Sequence, residues 1–319
     1  MWYALASYSE GGSGHSRTAL VLADELYDLA VAWSAVRPAA EPLPAWIDRV
    51  DAVLCDCPRA ALDDLALDIA AAVAAGRLSP VADGPGKLRA PYRPPRIFGT
   101  ASNYIEHAAE MNTLLAAKAD SSPYIFLKAS TSVIGTGQTV MIPPETETPD
   151  WEVELGVVIG RGGRRIRAAD ALDHIAGYTI VNDVSARDMN RRSDYPFKHD
   201  WFRGKSWDTF CPMGPWVVPR SCIADLHRLP LRLSLNGEQM QDGSTSELIW
   251  NVFEQIEYLS SIVTLEPGDV IMTGTPAGVG MGRGLFLRPG DVMVASIEGI
   301  GSITNPVAAE PVDITGASS

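Results

Sequence analysis

The sequence predicts an α+β fold in which strands dominate. One segment, residues 59–75, repeats its apolar positions with helical period and ends at Gly76, the residue most often found just past a helix. From residue 96 onward, short β-branched runs alternate with turn residues. Between the two lies a Pro- and Gly-rich stretch, residues 82–95, of the composition that interrupts regular structure. These observations place a small N-terminal α+β domain over residues 1–90 and a larger, mostly β domain over residues 91–319.

Residues 19–33 are ambiguous. Their Ala and Leu content favours helix, whereas Asp24-Glu25 between two apolar runs suits a hairpin turn. Gly11 to His15 is expected to be a mobile turn. Strands are expected over 153–159, 178–181, 216–218, 231–235, 269–272 and 291–297. Pro-Gly-Asp recurs at 267–269 and 289–291, each time as a turn ahead of a strand. Residues 246–262 are expected to be helical, with Ser246 as the N-cap. Arg161, Arg164, Arg165 and Arg167 around Gly162-Gly163 suit a solvated hairpin tip.

A length of 319 residues suffices for one large core or two domains, and 46% hydrophobic residues spread along the chain indicate a globular protein. The formal charge of −13 lacks the basic footprint that nucleic acid requires, so nucleic acid is not an expected partner. No apolar run reaches the roughly 18–20 residues that cross a bilayer, and the N-terminus shows no basic then apolar signal pattern. A cytoplasmic protein with no membrane partner is expected. Cys55-x-Cys57, Cys211 and Cys222 match neither a zinc spacing nor a disulfide framework, and four plain thiols are expected.

The chemistry concentrates in Asp150-Trp-Glu-Val-Glu-Leu-Gly156 and Asn182-Asp-Val-Ser-Ala-Arg-Asp188. Glu152 and Glu154 stand two apart in a strand-like run, so both point to one face, roughly 7 Å apart. Carboxylates beside an apolar strand are costly to bury unless something positive neutralises them. Asp183 follows a second β-rich run at 177–181. Three hard oxygen ligands without nearby Cys or His suit Mg²⁺ or Mn²⁺ better than zinc.

A second motif places His107 and Glu110 on one helix face at i, i+3. That spacing suits a general base with its carboxylate partner, and it equally suits a surface pair in solvent. Lys205, among large aromatics, suits a cation placed on a substrate carboxylate or enolate oxygen, or an exposed loop lysine. Lys128, at the end of an apolar run, leaves the same two readings open. The small-residue loop from Thr273 to Gly280 lets backbone N–H groups approach an anionic oxygen, but its spacing fits no nucleotide-binding motif.

In this order the motifs resemble the fumarylacetoacetate hydrolase family. The matching residues are Asn103-Tyr-x-x-His107-x-x-Glu110, Phe126-Leu-Lys128, Trp151-Glu152-Val-Glu154-Leu-Gly156, Asn182-Asp183-x-Ser185-Ala-Arg187-Asp188, Gly204-Lys205-Ser206 and Thr273-Gly-Thr275-Pro276. The resemblance covers roughly residues 95–307. It implies a mixed β-sandwich or β-roll C-terminal domain, a homodimer, and a hairpin within residues 19–33. It also implies Glu152, Glu154 and Asp183 as ligands of Mg²⁺ or Mn²⁺ (Ca²⁺ being possible), and His107 with Glu110 as the water-activating dyad. Lys205 would be catalytic, with Lys128, Arg187, Asn190 and Thr275 binding a small anionic dioxo acid.

The implied reaction is C–C hydrolysis of an acylpyruvate- or fumarylpyruvate-type 2,4-dioxo acid, in aromatic or sugar-acid catabolism, with an enolate leaving group stabilised by the divalent ion. The alternative is an isomerase, tautomerase or decarboxylase of a 2-oxo-dioic acid of the oxaloacetate or hydroxyheptadienedioate type. A non-catalytic binding protein would lack a ligand or the base, and this sequence lacks neither. Two departures concern the substrate's far end: Asn190 stands where some members carry Gln, and residues 191–202 form a longer segment.

Overall fold

The structure is a computed structural model describing residues 1–9, 16–111 and 114–311. Two β-sheets face each other. The larger runs, from edge to edge, through Glu25–Asp28, Ser16–Leu22, Ala4–Ser9, Cys211–Pro219, Ile175–Asn182, Val153–Ile159, Val270–Met272, Ile97–Ala101 and Tyr124–Lys128, with Val133–Ile134 pairing beside Cys211–Pro219. The smaller runs Glu238–Ser244, Pro230–Leu235, Val292–Ile297, Gly301–Ala309 and Val140–Ile142. Most pairs are antiparallel, but Val270–Met272 runs parallel to Ile97–Ala101, Gly301–Ala309 to Val140–Ile142 and Cys211–Pro219 to Val133–Ile134. The mixed sandwich implied by the sequence motifs is therefore the observed fold.

Strand Val153–Ile159 shows why the alternation matters. Val153, Leu155, Val157 and Ile159 pack into one core with Leu231, Leu233, Met293, Ala295 and Ile297 of the facing sheet. Val158 points the other way, into a second core with Leu62, Leu65 and Ile69 of helix Arg59–Ala74. Both faces of the strand are thus sealed, and every residue in it is buried.

Residues 19–33 divide between the two readings. Ser16–Leu22 and Glu25–Asp28 form a hairpin whose turn, Ala23-Asp24, lies one position earlier than Asp24-Glu25 and has both φ values positive (49° and 64°). Helix Leu29–Val36 follows at once, its start fixed by the Asp28 carboxylate accepting from the Val31 N–H at 2.8 Å. Strand Ala4–Ser9 then joins this hairpin to the main sheet through Leu5 opposite Val217. Helix Arg59–Ala74 ends as its sequence suggests. Gly76 takes φ +68°, and the Arg77 and Gly76 N–H groups bond back to Ala72 O and Val73 O.

The helix expected over 246–262 begins later, as Val252–Ile262. Asn251, not Ser246, is its cap: Asn251 Oδ1 accepts from the Phe253 and Glu254 N–H groups, and Glu254 reaches back to the Asn251 N–H. Residues 249 and 250 cannot join the helix because their N–H groups are bonded to Asn103 O and Oδ1. At the arginine-rich tip, Arg164 is exposed yet donates to Ser260 O at 2.5 Å. Gly11 to His15 lies outside the described residues. All four cysteines are free thiols. Among the described residues, no helix is long and apolar enough to cross a membrane.

Leu233 is completely buried between the sheets. Leu233→Ala should lower unfolding free energy by about 2–5 kcal/mol in urea denaturation, because the rigid sandwich leaves a cavity. A loss under about 1 kcal/mol would mean that the two sheets do not depend on this contact.

Candidate active site

Register brings the three carboxylates together. Val153 pairs with Asn182 and Glu154 with Val181, and the Asp183 N–H continues the ladder to Glu152 O at 2.8 Å. Asp183 is two residues beyond Val181, so it shares a face with Glu154 and Glu152. All three are buried, with oxygen atoms within 4.8 Å of one another.

Buried cations answer them. Lys205 Nζ donates to Glu152 Oε2 at 2.5 Å and Asp183 Oδ2 at 2.6 Å. Lys128 Nζ donates to Asp183 Oδ1 at 2.5 Å and Val184 O at 2.9 Å. Arg187 spans Asp150 Oδ2 at 2.8 Å and Glu152 Oε1 at 2.6 Å. Among the described residues no basic side chain is within ion-pair distance of Glu154; its Oε2 accepts from the Gly274 N–H at 2.6 Å.

The electrostatics follow from that distribution. Burial pushes the Glu152 carboxyl up, but Arg187 and Lys205 outweigh it and hold the group far below the usual range. Burial and the neighbouring Asp183 and Glu152 charges push the Glu154 carboxyl well above it. Four buried carboxylates thus face three buried cations, and the uncompensated charge falls on Glu154. A set of three hard oxygen donors with surplus negative charge fits a hard divalent cation, and Glu152, Glu154 and Asp183 would hold it.

His107 is buried, on helix Ile105–Glu110. Its Nδ1 lies 3.6 Å from Glu110 Oε2, just outside hydrogen-bond reach, and has no other partner. The Glu110 carboxylate accepts from the Gly278 N–H at 3.1–3.2 Å. Burial pushes this carboxyl up, but the His107 imidazole and the Gly278 N–H prevail and keep it below the usual range. An ionised carboxylate therefore stands behind a buried imidazole, which does not fit a solvated surface pair.

His107, Glu152, Glu154, Asp183, Arg187, Asn190, Lys205 and Thr275 all line one cavity of about 770 Å³. Two of the residues singled out in the sequence do not line it. Lys128 lies behind Asp183, its side chain wholly buried and bonded to that carboxylate. Glu110 lies behind His107. Thr275 faces the cavity, yet its hydroxyl donates to Val153 O at 2.9 Å and accepts from Gln241 Nε2 at 2.8 Å. Asn190 Oδ1 is buried in the cavity wall without a hydrogen-bond partner.

Other supports come from residues to which the sequence assigns no role. Gln241, on the facing sheet, accepts from the Val153 N–H and donates to Thr275 Oγ1 and Pro276 O. Asp150 orients Arg187 while accepting from the Gly280 and Met281 N–H groups. Asn103 donates to Thr273 O at 2.8 Å and Trp250 O at 2.9 Å, tying the Gly274 loop to the cavity wall. Asn103 stood in a recognised motif. Nothing in the spacing of Gln241 marks it.

Glu154→Ala should weaken Mn²⁺ binding at least about 100-fold in calorimetric titration, since it removes one of three ligands and the uncompensated charge. Wild-type affinity in this variant would exclude the triad as the metal site.

The profile of the family described as fumarylacetoacetate (FAA) hydrolase C-terminal matches residues 96–308. The human protein named oxaloacetate tautomerase FAHD2A, mitochondrial, is 42% identical over 217 residues, covering 67% of each chain. Among solved structures, fumarylacetoacetate hydrolase from Exiguobacterium antarcticum superposes with a TM-score of 0.77 at 32% identity, over 97% of this chain and all of that one. Maleylpyruvate hydrolase from Sphingobium sp. SYK-6, solved with manganese(II) and pyruvate, gives 0.71 at 26% identity, over 98% of this chain and all of that one. With the family profile spanning two thirds of its length and such relatives beside it, the protein belongs to the fumarylacetoacetate hydrolase family.

Proposed function

We propose that the protein is a divalent-metal-dependent hydrolase that cleaves the C3–C4 bond of 2,4-dioxo acids. The observation that carries this reading is the meeting of a carboxylate-backed imidazole, His107, with the buried triad and its cations in one cavity. Bound by Glu152, Glu154 and Asp183, Mg²⁺ or Mn²⁺ would supply Lewis-acid stabilisation of negative charge on the substrate.

The side chains supply the rest. His107 takes a proton from water, and Glu110 stabilises the imidazolium that results. Hydroxide adds to the 4-carbonyl. The C3–C4 bond then breaks with its electron pair passing to C3, and that carbon is reprotonated to give pyruvate beside a carboxylic acid. Lys205 spends two of its three N–H donors on Glu152 and Asp183, which fixes the ammonium at the cavity wall and leaves the third for an enolate oxygen.

A second reading is tautomerisation of a 2-oxo dioic acid, favoured by the name of the 42% identical human relative. It needs the same enolate and a proton carrier, with no attack by water. His107→Ala discriminates. On Mg²⁺-loaded protein it should reduce formation of pyruvate and acid from acetylpyruvate by about 10²–10⁴-fold, the range of general-base catalysis, with Mn²⁺ affinity close to wild type. Undiminished cleavage would remove His107 as the base. Keto–enol interconversion without cleavage by the wild type would favour the second reading.

A further inference from the structure

The cavity is chemically divided. Its lining includes the charged groups of Glu152, Glu154, Asp183, Lys205 and Arg187, and the rings of Phe126, Trp201 and Tyr124. An aromatic ladder leads outward from the charged end. Lys205 Nζ lies 5.3 Å from the centroid of the Phe126 ring, Phe126 stacks on Trp201 at 5.4 Å with planes 21° apart, and Tyr124 meets Trp201 at 5.4 Å. The sequence is arranged for this. Gly99 sits opposite Phe126 in the sheet register, and a Cβ there would fall 2.2–2.7 Å from the Phe126 ring. Asp200 caps the short helix that carries both Trp201 and Lys205, so one element sets the spacing of the stacking ring from the ammonium.

Buried positive charge in the cavity is already paired. The buried cations of the cavity, Arg187 and Lys205, are committed to Asp150, Glu152 and Asp183. Arg191 and His199 border the mouth but are exposed. Among the described residues, a second carboxylate buried along these rings would find no uncommitted buried cation, which is costly. Volume points the same way. A nine-atom dioic acid such as oxaloacetate fills roughly 270 Å³ even at the ~30 Å³ that a water molecule occupies per heavy atom, well under the 770 Å³ present.

Building on the hydrolase reading, we propose that the acyl group is aromatic and that the substrate class is the 4-aryl-2,4-dioxobutanoates. The 2-oxo acid end lies against the triad, and the aryl ring lies along Trp201 and Tyr124. The reaction is ArCO–CH2–CO–COO⁻ + H2O → ArCOOH + CH3–CO–COO⁻, which balances without any redox partner.

The test separates pocket from chemistry. With Mg²⁺-loaded full-length protein, kcat/KM for benzoylpyruvate should exceed that for acetylpyruvate at least about tenfold, given what even one methylene contributes in an apolar pocket. Trp201→Leu should collapse that ratio by about tenfold. Equal kcat/KM for the two acids would overturn the aromatic assignment and leave the hydrolase reading standing. In parallel, calorimetry on Mn²⁺-loaded wild type would compare 4-phenyl-2-oxobutanoate with 2-oxopentanoate, neither of which has a cleavable 1,3-dicarbonyl. Tighter binding of the phenyl acid by about tenfold or more supports the pocket even if no dioxo acid is cleaved, in which case the hydrolase reading alone fails. Equal binding overturns the pocket whatever the reaction proves to be.

Discussion

Three buried cations packed against four buried carboxylates set the terms for the rest of this molecule. Charges out of water are tolerated only when each meets a partner, and taking one partner from such a pair typically costs about 3–5 kcal/mol. Lys128, Lys205 and Arg187 come from three separate segments of the chain. Each is fixed through a carboxylate at the end of strand Val153–Ile159 or of its neighbour Ile175–Asn182. Folding must therefore deliver all three segments to one end of the larger sheet. Among the described residues Glu154 has no ion-pair partner, so the charge imbalance of the cluster falls there.

The loops around the cavity obey the same logic on a smaller scale. Asn103 holds the Thr273–Gly274 backbone and the segment at Trp250, while Gln241 reaches across from the facing sheet to Val153, Thr275 and Pro276. Irregular backbone at a buried site needs its polar groups satisfied by side chains, because no ladder is available to do it. The stability of the sandwich and the placement of the reactive groups are in this sense one problem.

How much could be read beforehand depended on the range of the interaction. Glu152 and Glu154 were legible because strand period is local, and His107 with Glu110 because helical spacing is local. Asp183 came from its place just after a β-rich run. The small-residue pattern at Thr273–Gly280 indicates backbone N–H groups free to approach an anionic oxygen, and the Gly274 N–H is bonded to the Glu154 carboxylate. The bond from Lys128 to Asp183 is not legible locally, because nothing in the sequence around a lysine marks the buried carboxylate it will meet. Ser246 satisfies local cap chemistry, whereas the tertiary bonds from Asn103 to the 249 and 250 N–H groups, which place the helix start at Val252, are not legible locally. Gln241 was invisible for the same reason.

If the buried triad and the cations behind it form a seat for a divalent ion together with a planar 2-oxo acid enolate, then oxalate, a stable planar dianion of that shape, should bind only with the metal. Calorimetric titration of oxalate into metal-free and Mn²⁺-loaded protein tests this directly. The predicted result is 1:1 binding to the Mn²⁺-loaded protein, with affinity at least about 100-fold weaker when the metal is removed. Equal affinity with and without Mn²⁺, or no binding in either state, would contradict it.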